Sequence, residues 1–407
     1  GGGGGGSSSF GGGGSGTTSG GGAWIVLLVL GFVLATFLFG LWKVRQLRKK
    51  RRARDAAVRL ASAEAADDDA YFHHEAVEQE ATALFLAVQQ AWSTNDVAQL
   101  HTMVGADLMV EWERRLRDFE SKGWRNVCHV HNAPELKYVG LVNREDDTED
   151  RVTVHLSATM DDYVEDRNGN KIEHNESSST QRLLEEYWTL ARHGSGERWT
   201  LVSIEADAEG HHHLDAEIVA SPWSDSRLHD ESLAEVAAAD GAANGDANVF
   251  ELASFDYADD AHAAALDLSL VDARFGPDVL EAAARRALAG WAEAVDGEDT
   301  ALEAVATPEA IAALLYPEGG DTHRIVVRGP RLESIRITAL DGKGTPPTMD
   351  VTAQVRGRRY VENRDTAAVV SGSKSSETSF PVSLRMALDG DGPAAWRVVA
   401  AGSAATA

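Results

Sequence analysis

The residues able to do chemistry fall into a few short clusters. His211-His212-His213 has the side chains of a metal site. Three consecutive residues cannot all converge on one ion in regular structure, so a solvated loop is the expectation. His73-His74 precedes the first amphipathic segment and reads as a cap-region pair. Cys128-His129-Val130-His131 alternates as a strand does, with both histidines on one face and no evident third ligand. Asp161-Asp162-Tyr163 stands at a strand end. In an apolar cavity such a carboxyl would have its pKa raised and could move protons. The tyrosine recurs at position 360 without the paired aspartates, which argues for a structural role. Asp146-Asp147 and Glu149-Asp150 read as a solvated hairpin loop. No glycine-rich phosphate loop, nucleophile motif or triad pattern is present. No catalytic, cofactor-binding or metal-binding residue is therefore expected.

Composition narrows the partners. The 407 residues suffice for two domains with a linker and an anchor. A formal net charge of −26 repels phosphate backbones, so no nucleic acid is expected. The lone Cys128 allows no intrachain disulfide, which fits a reducing compartment. A start at Gly1 rather than Met is what a processed or trimmed product would show.

Residues 1–22 are almost wholly Gly, Ser and Thr and are expected to be disordered. Residues 23–42 are uncharged and apolar, with Trp24 and Trp42 near the ends. About 20 residues of helix span roughly 30 Å, the thickness of a hydrocarbon core, so a transmembrane helix is expected. Lys43, Arg45, Arg48, Lys49, Lys50, Arg51, Arg52 and Arg54 follow, and nothing basic precedes it. That asymmetry predicts a single-pass protein of the cell (inner) membrane, N-terminus outside and the remaining domains cytoplasmic. The same eight residues are the candidates for contact with anionic lipid, within a basic juxtamembrane helix over 43–70.

The rest of the chain contains an internal repeat. Tyr163-Val164-Glu165-Asp166-Arg167 returns as Tyr360-Val361-Glu362-Asn363-Arg364, and Trp199 returns as Trp396, at one offset of 197 (163 to 360, 199 to 396). Upstream the offset drifts, with Ala133-Pro134-Glu135-Leu136 facing Gly329-Pro330-Arg331-Leu332 and Trp92 facing Trp291. In each copy helices come first. Val77, Ala81, Leu84, Phe85, Val88 and Trp92 share one helical face, as do Leu108, Trp112, Leu116 and Phe119. Strands are predicted over 136–142, 151–160, 183–191 and 199–204, with a tight turn at Asn168-Gly169. In the second copy a helix is predicted over 279–295 and strands over 325–327, 332–340, 349–355, 380–388 and 396–400. Residues 211–275 read as an acidic, Ala-rich linker with short helices over 232–239 and 258–272, and with Trp223 and Phe255 packing back on a domain. The fold class expected is α+β: one transmembrane helix, a cone-shaped helix-plus-antiparallel-sheet domain over 71–210, and a divergent second copy over 276–402. Trp92, Trp112, Tyr138, Tyr163 and Trp188 are the candidates for lining a cavity in the first cone.

These features resemble a known family. Trp92-Ser93 with Asp96, Leu136-Lys137-Tyr138-Val139-Gly140, Asp150-Arg151-Val152-Thr153-Val154, Tyr163-Val164, Glu186-Tyr187-Trp188-Thr189-Leu190 and the run from Trp199 to Glu205 look like the bacterial branch of the Tim44-like domain family. The resemblance spans about residues 70–210. It implies a nuclear-transport-factor-two-like cone and a binding or scaffolding role at a membrane, in the manner of the mitochondrial translocase subunit that gives the family its name. The expectation is a non-enzymatic scaffold or tether that binds an unidentified protein or lipid partner, in membrane protein transport or biogenesis. The alternatives are a cavity-ligand sensor or carrier and, less favoured, a cone-fold lyase or isomerase.

Overall fold

The structure, a computed structural model, describes residues 21–172, 180–192, 198–224, 253–317, 320–390 and 395–401, with side chains from residue 41 onward. The chain divides into two units, Gly1–Ala53 and Arg54–Ala407. The expectation for residues 1–22 lies almost wholly outside the described residues, as does that for a helix over 232–239.

One expectation is corrected. Among the described residues no helix is long and apolar enough to cross a membrane, so the single spanning helix over 23–42 does not stand, and the orientation drawn from it goes with it. The apolar run is not an element of its own. It is the N-terminal part of helix α1 (Gly21–Asp68), which continues unbroken through the basic residues. In the first unit Lys43, Arg45, Arg48, Lys49, Lys50 and Arg52 are exposed and Arg51 is half-buried.

The second unit comprises two lobes of like plan, over 54–224 and 253–401. The N-terminal lobe begins with the end of α1, which buries Val58 and Ala65. The Asp69 carboxylate accepts from the Tyr71 N–H at 2.9 Å and caps a 3₁₀ turn, Ala70–Phe72. Helix α2 (His74–Thr94) follows, with Val77, Ala81, Leu84, Phe85, Val88 and Ala91 buried on one face, as the spacing predicts. It ends at Asn95, whose left-handed φ of 55° closes the last turn. A short α3 (Val97–Leu100) is capped by Asp96, and α4 (Ala106–Lys122) buries Met109, Trp112 and Leu116.

The strands are β1 (Trp124–Val130), β2 (Glu135–Val142), β3 (Arg151–Asp166), β4 (Lys171–Ile172), β5 (Gln181–Arg192) and β6 (Trp199–Ala206). They form one sheet in the order β1-β3-β5-β6, with β2 and β4 also paired to β3. The 16-residue β3 is long enough to pair β1 along its second half and β2 along its first, all antiparallel. Val152 through Leu156 are buried on both sides of the sheet. Helices cover one face. A strap covers the other, formed by the 3₁₀ turn Gly210–Leu214 and by Val219, which bridges Val142.

The C-terminal lobe repeats the plan. Asp272 caps Ala273–Phe275 through the Arg274 N–H at 3.0 Å, and the sequence Asp-Ala-x-Phe is the same as at Asp69–Phe72. Its helices are α5 (Asp259–Ser269), α6 (Pro277–Asp296), α7 (Thr300–Val305) and α8 (Pro308–Leu315). Its strands are β7 (Ser254–Tyr257), β8 (His323–Asp341), β9 (Thr348–Asn363), β10 (Val369–Gly372), β11 (Thr378–Leu388) and β12 (Trp396–Ala401), in the order β12-β11-β9-β8-β7, with β10 on β9. Where β1 and β2 are separate strands, β8 is continuous and absorbs the break as a bulge between Arg328 and Arg331. In both lobes the phenylalanine of the capped turn meets the tryptophan of the last strand edge-on: Phe72–Trp199 at 5.6 Å and Phe275–Trp396 at 5.7 Å. β7 and α5, within the stretch read as a linker, pack on the second sheet, and Phe255 meets the core there. Trp223 is 95% exposed, contrary to expectation, in the 3₁₀ turn Pro222–Ser224, which has no buried residue.

The pairing of Trp92 with Trp291 is also corrected. Counted from the anchoring Phe72 and Phe275, Trp291 falls level with Val88, and Val295 falls level with Trp92. The two tryptophans differ by one helical turn.

A candidate binding cleft between the lobes

Both lobes lie in the second unit and line an open cleft of about 540 Å³. Its apolar wall comes from α2, α4 and the concave sheet of the N-terminal lobe: Val88, Trp92, Leu108, Trp112, Met160 and Leu184. Trp92 and Trp112 meet edge-on at 5.0 Å. Trp92 is fixed by its Nε1–H, which donates to Asn126 Oδ1 at 2.8 Å, and Asn126 Nδ2 donates on to Asp162 at 2.7 Å. Cys128 also lines the cavity, but burial pushes its thiol up to about 11, so it is a poor nucleophile there.

The opposite wall belongs to the C-terminal lobe and is charged. Arg328 Nε donates to Glu209 at 3.2 Å, and its Nη1 reaches Ser203 and Asp296 at 3.3 Å each. Burial opposes its charge, yet Glu205, Tyr360, Asp296 and Glu209 together hold its pKa well above the usual value. The Tyr360 hydroxyl donates to Glu209, and Lys374 lies 4.8 Å over the Tyr360 ring. The rim is pinned by pairs that cross between lobes: Arg364–Glu111 at 2.6 Å, Arg115–Glu362 at 2.8 Å and Arg114–Asp365 at 2.7 Å. Glu186 also faces the cavity. Burial raises its pKa, although the Trp188 Nε1–H donates to it at 2.9 Å.

Of the predicted lining residues, Trp92 and Trp112 do line the cleft. Tyr138 and Trp188 are fully buried in the lobe core instead. Tyr163 is half-buried on β3 under Lys171, 4.4 Å over its ring, as Lys374 covers Tyr360. Among the residues named for lipid contact, Arg54 is turned into the fold. Its Nε donates to Val139 O and its Nη1 to Ala216 O, both at 2.6 Å. Asp161 and Asp162 are engaged locally: Thr180 donates to Asp161, lowering its pKa, and Asp162 pairs with Arg182. Asp161 thus has the opposite of the raised pKa that proton transfer would need. The histidines at 211–213 are not a solvated loop. They lie in the strap, where His212 and His213 reach Glu205 and His211 reaches Asp207. Arg328, Glu209 and Lys374 had no sequence signal beyond the repeated tyrosine near them, and Glu186 stood out only within the run Glu186–Leu190 that carries the family resemblance.

Fold and cleft together define a class of α+β protein in which two like units, each of helices over an antiparallel sheet, share one aromatic, charge-rimmed cleft. Residues 58–206 match the family model of the Tim44-like domain, so the resemblance is borne out over those residues. No curated protein matches the chain. Among solved structures, the intermembrane space region of chloroplast protein ARC6 is similar at 15% identity, with 31% of this chain and 94% of that one covered and a TM-score of 0.25. An Ntf2-like protein involved in plasmid conjugation is similar at 8% identity, with 76% and 90% covered and a TM-score of 0.17.

Proposed function

We propose that this chain is a membrane-associated, non-catalytic scaffold whose inter-lobe cleft receives a segment of a protein partner. The observation that carries this reading is the cleft itself. It joins an indole-lined wall to a rim bearing both signs of charge, which suits a peptide with apolar and charged side chains. The match of residues 58–206 to the Tim44-like domain supports a membrane-associated, partner-binding role. The six exposed cations from Lys43 to Arg52 supply a surface for anionic lipid, each worth on the order of 1 kcal/mol near a charged bilayer. A role in membrane protein transport or biogenesis is the finer form of the same reading.

The test is retention of a partner by the tagged full chain and by Trp92→Ala and Arg115→Ala variants. One discrete protein retained by the wild type and lost from both variants is the expected result. Equal retention by all three would remove the cleft from the function. A small molecule in the cleft is a second reading, favoured by the buried, high-pKa Glu186 facing it. Native mass spectrometry of the purified chain would then show a bound mass that Trp92→Ala loses.

A further inference from the structure

On the outer face of β6, away from the aromatic wall, Glu205 is 3% exposed and faces the strap that follows. His212 Nε2 lies 2.7 Å from one of its carboxylate oxygens and His213 Nε2 lies 2.8 Å from the other. The three ligand atoms are within 4.8 Å of one another. We propose that Glu205, His212 and His213 form a binding site for a divalent transition-metal ion of the Zn²⁺ kind.

Local backbone makes the convergence possible. In an extended strand neighbouring histidines would point to opposite faces. Here they follow Gly210 in a 3₁₀ turn, and their rings lie 4.1 Å apart, tilted by 36°. The third histidine, His211, turns away to Asp207 at 3.4 Å, so two of the three converge. The strap is pressed down at two glycines. A Cβ on Gly210 would fall 2.3 Å from the Tyr187 ring, and a Cβ on Gly329 would fall 2.5 Å from His212 Cβ. Tyr187 in turn stacks on the His213 ring at 5.6 Å.

The chemistry of the donor set fits. Two imidazoles and one carboxylate are a recurrent three-ligand set for zinc, which leaves a fourth position to water. Tetrahedral ligands about 2.0–2.2 Å from the ion stand roughly 3.3 Å apart, and the three ligand atoms, all within 4.8 Å of one another, reach that spacing by side-chain adjustment. Charge points the same way. Glu205, Asp207, Glu209 and Asp296 gather around the site with Arg328 among them, a surplus of negative charge that favours a cation. A bound ion fastens the strap to β6 at the place where the C-terminal lobe meets it through Gly329.

The experiment is titration of the chelator-stripped full chain with Zn²⁺ by equilibrium dialysis, and with Co²⁺ by visible absorption. One ion per chain and the intense visible bands of tetrahedral Co²⁺ are expected. His213→Gln and Glu205→Gln should each lose more affinity than the about 10–100-fold that removal of an outer-shell partner costs, while His211→Gln binds as the wild type does. Near- and far-ultraviolet circular dichroism checks that each variant is folded. If one ligand variant does not fold, the other and the wild-type Co²⁺ spectrum decide. Failure of the folded wild type to bind stoichiometrically, retained affinity in a folded ligand variant, or an equal loss in His211→Gln would overturn the site.

Discussion

At the level of the cleft the N-terminal lobe places Trp92, half-buried and hydrogen-bonded to Asn126, whereas the C-terminal lobe places Val295 there and buries Trp291 one turn earlier in its core. The frames are otherwise alike, from the capped Asp-Ala-x-Phe turn to the edge-on Trp of the last strand. The same indole, moved by one helical turn, fills a core in one lobe and walls a cleft in the other. The C-terminal lobe turns its charged β8–β9 end to that cleft, and the arginines of α4 tie the two lobes together.

Substitution at the two tryptophans tests this contrast most severely. Trp291→Ala should cost about 3–5 kcal/mol in urea unfolding, the range for emptying a buried indole site, and Trp92→Ala roughly half of that. Equal costs would mean that the lobes are filled alike. Arg328→Ala comes next. It leaves Glu209 and Asp296 facing each other across the junction without their shared cation, at a cost of about 3 kcal/mol, toward the lower end for a broken buried pair because Lys374 remains near Glu209. Unfolding that splits into two transitions would sharpen the picture by showing that the lobes separate first.

A pH titration probes the N-terminal lobe alone. Burial pushes the Asp150 carboxyl up to about 6, against the lowering effects of the Arg144 N–H and Arg192. The folded carboxyl thus holds its proton more tightly than the unfolded one. The stability it lends is complete below the ordinary value of 3.8 and is lost as pH rises through about 6, on the order of 3 kcal/mol in all. Asp150→Asn should flatten that part of the stability curve, and an unchanged slope would assign it elsewhere. The smallest effect belongs to the exposed bidentate pair of the C-terminal lobe, Arg385 with Asp350 at 2.7 and 2.9 Å. Asp350→Asn should change the unfolding midpoint by less than about 1 kcal/mol equivalent.

Periodic features were legible before the structure. The α2 face from Val77 to Val88 carries a strong 3-4 repeat and is buried as that repeat requires. Asn168-Gly169 turns with φ of 78° at the glycine and pairs β3 with β4. The capped turns at Asp69 and Asp272 escaped notice because three residues are too short to show a period, although the shared Asp-Ala-x-Phe was there to be matched. Trp92 and Trp112 were legible as cavity residues, but Tyr138 and Trp188 were not separable from them, since an aromatic on a buried strand gives the same pattern whichever face it takes. The charged wall was illegible for a different reason. Arg328 and Glu209 are distant in sequence, and an arginine on a strand looks solvated until its partner is known. The apolar run at 23–42 misled by being read as a separate element, when it is the beginning of one 48-residue helix.

The most direct test of the cleft places a photo-crosslinking residue at Leu108, which lines it, or at Val110, which is 48% exposed on the same helix, in otherwise unaltered full-length chains. The account predicts one discrete protein adduct from position 108, diminished by Trp92→Ala, and none of that mass from position 110. An adduct from position 110 alone, or one from 108 that Trp92→Ala leaves unchanged, would contradict a partner segment held against the indole wall.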